Sequence, residues 1–193
     1  MSLIEPPQEL LAWLAYRCNA IAIGHVALCH HISWDEVPDM RVFFNDKLVL
    51  EGLATGFTNG AIESAVIHAQ AVLEFVGLQG VSGSLNSFTE RKALGRRDDF
   101  CVEHFRGGVK LTKDAALAAY PGPQAEAESA IALVFYVANK GLAHVTAGFD
   151  QSSSEARLLE IAFRGVPVLL FNSFYAPLGI AQPDYRLSFR KHS

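Results

Sequence analysis

The sequence predicts an all-α fold, a single irregular helical bundle of about five to seven helices formed by residues 1–193 as one domain. One observation is a long stretch whose apolar residues recur at intervals of three and four, the pattern of a helix with one buried face. Another is that proline and glycine separate the apolar segments. Residues 42–44 and 186–189 are too short to predict a sheet. The periodic apolar residues are Ile62, Ala65, Val66, Ala69, Val72, Leu73 and Val76.

Residues that are typical of helix beginnings and ends give the bounds of the predicted helices. Pro6 and Pro7 precede the first helix, since proline is tolerated in a first helical turn. Asn59 is the expected N-cap of the periodic helix, and a Pro-Gly-Pro turn at residues 121–123 precedes the longest of the later helices. Pro167 lies inside the last helix and predicts a kink. The predicted helices span residues 7–31, 46–56, 60–77, 100–105, 124–145 and 155–174.

The composition indicates a chain with surplus apolar surface. Hydrophobic residues make up 50% of the 193 residues, charged residues make up 19%, and the mean hydropathy is +0.20. Surface of this kind is usually covered by another subunit, so we expect a homo-oligomer, with a dimer as its simplest form. The net charge of −4 argues against non-specific binding of DNA over a broad face.

The chain is expected to lie in the cytoplasm and not in a membrane. Its apolar segment at residues 10–29 is interrupted by Arg17, and a central arginine costs about 2.5–3.5 kcal/mol on membrane insertion. Residues 1–7 lack the basic region of a signal peptide. The cysteines have neither metal-ligand spacing nor the pairing pattern of a secreted protein, which fits a reducing compartment.

The main candidate site lies near the end of the predicted helix at residues 124–145, where Asn139, Lys140, His144 and Thr146 follow one another closely. Lys140 and His144 are four positions apart and would share a helix face. Asn139 and His144 would be offset by about 140° on a regular helix. His144 is the candidate acid or base because histidine titrates near neutrality. In the structural alternative, His144 caps carbonyls at the negative end of the helix dipole.

His68 and Asp99 are candidate supporting residues. His68 interrupts the apolar stripe, and it either faces His144 or Asp99 across the bundle or is a satisfied core or interface group. Asp99 follows the basic residues of segment 91–97, and it either orients one of the two histidines or starts a short helix. A Glu-x-x-His or His-x-x-x-His pair that could place two metal ligands on one helix is absent, so we predict no metal and no cofactor.

Residues 139–144, Asn-Lys-Gly-Leu-Ala-His, resemble the signature of the HEPN superfamily (higher eukaryotes and prokaryotes nucleotide-binding). That signature is an arginine, four to six residues, and a histidine near the end of a long helix in a helical bundle. Residues 63–75 resemble the first long helix of bacterial proteins with this layout, and Asp98-Asp99 corresponds to the acidic pair that follows it. The resemblance covers residues 59–175 or so.

This resemblance implies a metal-independent ribonuclease whose site forms across a homodimer, or a related module that only binds RNA or serves as a partner in a defence system. His144 would be the acid or base, Asn139 and Lys140 would position a phosphate, and His68 and Asp99 would support them. The chain departs from the signature at Asn139, which stands where the family has arginine and supplies neither a charge nor a bidentate fork. The second interpretation, a non-catalytic oligomeric bundle for interaction or ligand binding, therefore stays open.

Overall fold

The computed structural model describes residues 4–82, 84–92, 99–141 and 153–183. These residues form a mainly helical body with two small antiparallel sheets, so the helical class is confirmed, whereas a purely all-α bundle is wrong. The α-helices are α1 Gln8–His31, α2 Thr55–Phe75, α3 Lys113–Ala118, α4 Gln124–Tyr136, α5 Ser153–Leu170 and α6 Ala176–Leu178. The strands are β1 Asp39–Phe44, β2 Lys47–Leu53, β3 Leu78–Gly80 and β4 Phe88–Glu90.

The helix α2 lies at the centre of the body and contacts α1, α4 and α5. Its periodic apolar residues are all buried, as the sequence predicts, and Ala65, Ala69 and Leu73 have no exposed surface at all. The helix α1 crosses α2 at Gly24, where a Cβ atom would lie 2.2 Å from the Cβ of Ala65. The missing side chain therefore allows the two longest helices to approach this closely.

The predicted helix at residues 46–56 is wrong, because most of it forms β2, which pairs with β1 in an antiparallel hairpin. Apolar runs with aromatic and β-branched residues flank the two-residue turn Asn45-Asp46, and Asn45 has a left-handed φ of +46° that asparagine tolerates. Residues 42–44, judged too short for a sheet, thus belong to β1. Asn59 is not a cap, since α2 begins four residues earlier, after Ala54.

The later elements also differ in detail from the prediction. The helix α4 ends at Tyr136 and continues as a π turn, Val137–Gly141, and the predicted end near residue 145 lies outside the described residues. The helix α5 continues through Pro167, and a second π turn, Phe171–Tyr175, follows it. Only a 3-10 turn, Val102–His104, stands where residues 100–105 predict a short helix.

Aromatic rings close the end of the core where α2 leads into β3. Phe75 packs edge-to-face on Phe174 at 5.2 Å between ring centroids, and Phe174 packs in the same way on Phe105 at 5.6 Å. Such arrangements add about 0.5–1.5 kcal/mol each beyond the burial of area. This cluster therefore fixes β3 and the chain around Phe105 against the helices.

Two helical stretches, Gln8–His31 and Ser154–Leu178, are long and apolar enough to cross a membrane by length and composition. In the most apolar window of each, 33% and 56% of the residues are buried inside the protein. Core helices of soluble proteins pass the same test, so this is weak evidence. The expected cytoplasmic location stays a prediction.

Candidate nucleic-acid interface

Asn139 and Lys140 lie in the π turn that follows α4, and both side chains are exposed. They line an open cleft of about 380 Å³ between this turn and the chain that leaves β3. Turns with i→i+5 hydrogen bonds are rare in helices and frequently occur at functional sites. The other lining residues are Gly80, Val81, Ser82, Ser84, Phe135 and Tyr136.

Asn139 is held by α2. Its Oδ1 accepts a hydrogen bond from Nε2 of Gln70 at 3.2 Å, and the same nitrogen donates to Oε1 of Glu74 at 2.8 Å. Because Gln70 donates to the oxygen of Asn139, the amide Nδ2 of Asn139 is directed elsewhere as a hydrogen-bond donor. Asn139 therefore lines the cleft and keeps an amide donor that the contact with Gln70 does not use.

Lys140 supplies the positive charge of this cleft. Its Nζ lies 5.6 Å from the centroid of the Tyr136 ring, within the range of a cation–π contact. Lys140 makes no ion pair within the described residues. Lys140 is the one charged residue among the described residues that line the cleft, and the carboxylate of Glu74 lies behind Gln70 beside it.

His144 and Thr146, the other two polar residues of the sequence motif, lie outside the described residues. Asp98 lies outside them as well. The part of the motif whose geometry can be described is therefore Asn139, Lys140 and the residues around them.

His68 contacts α1. Its Nδ1 accepts a hydrogen bond from Nη1 of Arg17 at 3.2 Å, and its ring packs edge-to-face on Tyr16 at 5.1 Å. The side chain is half-buried, and this burial, together with the charge of Arg17, lowers the pKa of His68 below its usual 6.5. His68 is therefore held as a neutral ring near pH 7.

Asp99 lines a different and larger depression, a groove of about 680 Å³ between α1, α2 and the chain before the 3-10 turn. Glu9 and Glu74 contribute two more carboxylates to it, and Arg17 contributes a guanidinium. The second arginine of the groove, Arg91, is already paired with a carboxylate at 2.8 Å. The described lining of this groove thus carries three carboxylates and two guanidinium groups, so it favours a phosphate ligand less than the cleft does.

The predicted site residues therefore divide into two groups on opposite sides of α2. His68 and Gln70 are two positions apart and point about 160° away from each other around the helix. His68 belongs with Arg17 and the groove that contains Asp99, whereas Asn139 and Lys140 belong with Gln70 and the cleft. The side chain of Glu74 borders both regions, since it accepts from Gln70 and lines the groove.

Metal-ligand chemistry is not evident in the part of the chain that the structure describes. No group of three or more His, Cys, Asp or Glu residues there could hold a metal ion. Both carboxylate oxygens of Glu103 accept from Nη2 of Arg91, and Nδ1 of His104 accepts from the backbone N–H of Cys101. Both side chains thus already form hydrogen bonds with neighbouring residues of the protein.

Sequence reasoning missed Gln70, Arg17 and Tyr136 as members of these sites. The spacing of Gln70 and Glu74, four positions apart on a helix, indicates a polar pair, but not that Asn139 would join it from 69 positions away. The position of Arg17 in an apolar helix was evident, but its partner was not.

No protein-family model, curated protein or solved structure matches the chain.

Proposed function

We propose that this chain is a HEPN-like helical protein that binds single-stranded RNA at the cleft of Asn139 and Lys140. The observation that carries the proposal is the composition of this cleft, whose described lining combines an ammonium without an ion pair among those residues, an amide, serine hydroxyls and an aromatic ring, and no carboxylate. Each of these groups can contact the phosphate, the ribose or the base of a nucleotide. A volume of about 380 Å³ is also within the range of small-ligand sites.

The roles follow from the chemistry of each group. Lys140 binds a phosphate as a point charge, and the amide of Asn139 donates to a phosphate or ribose oxygen. A base that takes the place of the Lys140 Nζ over the Tyr136 ring can stack there once Lys140 turns to the phosphate, which favours a single strand over a duplex. Ser82 and Ser84 supply hydroxyl groups at the opposite wall of the cleft.

Binding of a fluorescein-labelled single-stranded oligonucleotide, measured by fluorescence anisotropy at several salt concentrations, tests this proposal. We expect Lys140→Ala to weaken binding about 5–20-fold and to reduce the slope of log K against log salt by about 0.7, the value for one lost contact to single-stranded phosphate. Arg157→Gln is the matched control, because it removes one exposed charge outside the cleft. Equal affinity of Lys140→Ala and the unchanged protein would overturn the proposal, as would the absence of binding by the unchanged protein.

Cleavage of the bound RNA is the stronger form of this proposal and requires His144 as the acid or base. Incubation of mixed RNA with the protein in the presence of EDTA distinguishes cleavage from binding alone. Cleavage by the unchanged protein that disappears in His144→Ala supports a metal-independent ribonuclease. Binding without cleavage in either protein supports an RNA-binding module in which Asn139 replaces the arginine of the signature.

A non-catalytic oligomeric module is the second candidate function. The observation that favours it is a separate one, the exposed apolar hairpin formed by β1 and β2. Loss of nucleic-acid binding would leave this candidate unaffected, since the hairpin and the cleft share no residues.

A further inference from the structure

A cavity of about 480 Å³ lies between the end of α1, the N-terminal part of α2, the end of α4 with its π turn, and the start of α5. Its floor is apolar, and the side chains that form it are between 1% and 6% exposed. Cavities of this size between the helices of a bundle are typical of sites for small molecules. The floor consists of Leu28, Ile62, Val66, Leu133, Val137 and Leu159.

The mouth of this cavity is acidic among the residues that the structure describes. Glu63, Glu155 and Glu160 line it, against the single guanidinium of Arg157, and all four side chains are exposed or half-buried. That guanidinium already pairs with Glu126 outside the cavity, at 3.0 Å between Nη2 and Oε1. Arg157 therefore does not neutralise the carboxylates that line the mouth.

Glu160 has two other basic groups near it. Nη1 of Arg164 lies 3.4 Å from its Oε1, and Nε2 of His25 lies 3.9 Å from the same oxygen. The Arg164 side chain is 66% exposed, so water screens this pair, and burial lowers the pKa of His25, so its ring is mainly neutral at pH 7. With these ion-pair partners included, four carboxylates stand against two guanidinium groups.

Glu63 is the carboxylate of the mouth that is most accessible to a ligand. It is exposed and makes no ion pair with any residue of the described ranges. It is adjacent in α2 to Ile62, which belongs to the floor. A negative charge thus lies directly beside the apolar surface.

An aromatic ring forms another part of the mouth. Trp34 follows α1, is half-buried, and packs on His31 with 5.7 Å between the ring centroids. Both residues line the cavity. Indole attracts a cation to its face more strongly than the other aromatic side chains do. The ring therefore adds to the preference of the carboxylates for a positively charged ligand.

We infer that this cavity binds a small organic cation, a protonated amine that carries an apolar group. The apolar group covers the floor, and the ammonium lies at the mouth, where Glu63 supplies the opposite charge and Trp34 a ring face. A neutral molecule would leave the carboxylates without a partner, and an anion would be repelled. The cavity shares no lining residue with the proposed RNA cleft, so the two sites are separate.

Two-dimensional NMR of the indole N–H groups tests this inference. The chain has two tryptophans, Trp34 at the cavity and Trp13 at the groove that contains Asp99, so Trp13 is an internal reference. The variant Trp13→Phe assigns the two signals. Titration with phenethylamine should shift the Trp34 signal with a dissociation constant of about 0.1–1 mM, which is reasonable for a ligand of this size, and should leave the Trp13 signal in place.

Ligands with the same ring and a different charge separate the effect of charge from that of apolar contact. Phenethyl alcohol, which is neutral, should bind about tenfold more weakly than the amine, and the anion hydrocinnamate should leave the Trp34 signal unmoved. Glu63→Gln should weaken binding of the amine about 3–10-fold and leave binding of the alcohol unchanged. Glu5→Gln is the matched control, because it removes an exposed carboxylate outside the cavity.

Three results would overturn the inference. One is a Trp34 signal that does not move at ~10 mM phenethylamine. Another is equal affinity for the amine and the alcohol, because the acidic mouth would then have no role in binding. The third is an affinity for the amine that Glu63→Gln and Glu5→Gln change to the same extent.

Discussion

Arg17 donates a hydrogen bond from Nη1 to Nδ1 of His68 at 3.2 Å. A guanidinium has donors only, so Nδ1 must carry its lone pair, and the proton of the neutral ring must lie on Nε2. The contact therefore selects one tautomer of His68 and opposes its protonation. In this geometry His68 is a hydrogen-bond acceptor toward α1, and an acid role for it at neutral pH is disfavoured.

The first prediction concerns the titration of His68, followed by two-dimensional NMR. The pKa should lie below 6.5 because burial and the charge of Arg17 both disfavour the imidazolium. Arg17→Met should raise that pKa, though not to the usual value, since burial remains. A pKa at or above 6.5 in the unchanged protein would contradict the contact.

The same shift predicts how stability depends on pH. The unfolded state binds the proton of His68 with the ordinary pKa of 6.5, so it takes up more protons than the folded state as the pH falls below that value. The stabilising contribution is thus fully present above pH 6.5 and is lost on acidification toward the lower folded pKa. Urea titrations of His68→Gln between pH 7.5 and 5.5 should show a smaller loss of stability than the unchanged protein.

The close crossing of α1 and α2 predicts opposite effects of two glycine substitutions. Gly24→Ala should destabilise the fold by about 1–3 kcal/mol, because its Cβ would collide with Ala65 and with the backbone oxygen of Ala61. Gly165→Ala is the control, since nothing lies within 4 Å of its Cβ position inside α5. That variant should gain about 0.5–1 kcal/mol from helix propensity in the same urea titration. Equal effects of the two changes would argue against the crossing.

Thiol reactivity should distinguish the cysteines. Burial raises the pKa of Cys18 to about 12, and the side chain of Cys101 is also buried. Cys29 is exposed, although burial of its thiol and the charge of Glu160 raise its pKa as well. We expect a disulfide reagent at pH 8 to modify Cys29 slowly and the other two only after denaturation. Rapid modification of Cys18 in the native protein would be inconsistent with its place in the core.

Glu128 should contribute to stability in a pH-dependent way. Hydrogen bonds from Lys113 and Ser87 lower the pKa of this carboxyl below its usual 4.5. Its contribution is therefore present above pH 4.5 and is lost as the pH falls through the lower folded pKa. Glu128→Gln should destabilise the protein at pH 7, and its effect should be smaller at pH 3. Arg164→Gln, which breaks a more exposed pair, should change stability little at either pH.

Local periodicity predicts much of the helical body. The first helix was expected at residues 7–31 and is found at Gln8–His31, and the apolar stripe of α2 is buried throughout. The hairpin of β1 and β2 was missed because a short apolar run fits a helix and a strand equally well. The two-residue turn Asn45-Asp46 between two such runs was the available indication.

The site was predictable only where its residues are neighbours in the chain. Asn139 and Lys140 adjoin each other, so any fold places them together. The hydrogen bond from Gln70 to Asn139 and the one from Arg17 to His68 join residues 69 and 51 positions apart. Such contacts depend on how helices cross, and a single sequence does not specify the crossing.

The π turn at Val137–Gly141 acts as a one-residue insertion in the helix that precedes it. Each residue of a regular helix advances the chain by about 100°, so the extra residue changes the side of α4 on which Asn139 and Lys140 lie. The contact between Asn139 and Gln70 therefore depends on the number of residues in the turn, and removing Ala138 would break it even with every functional side chain retained.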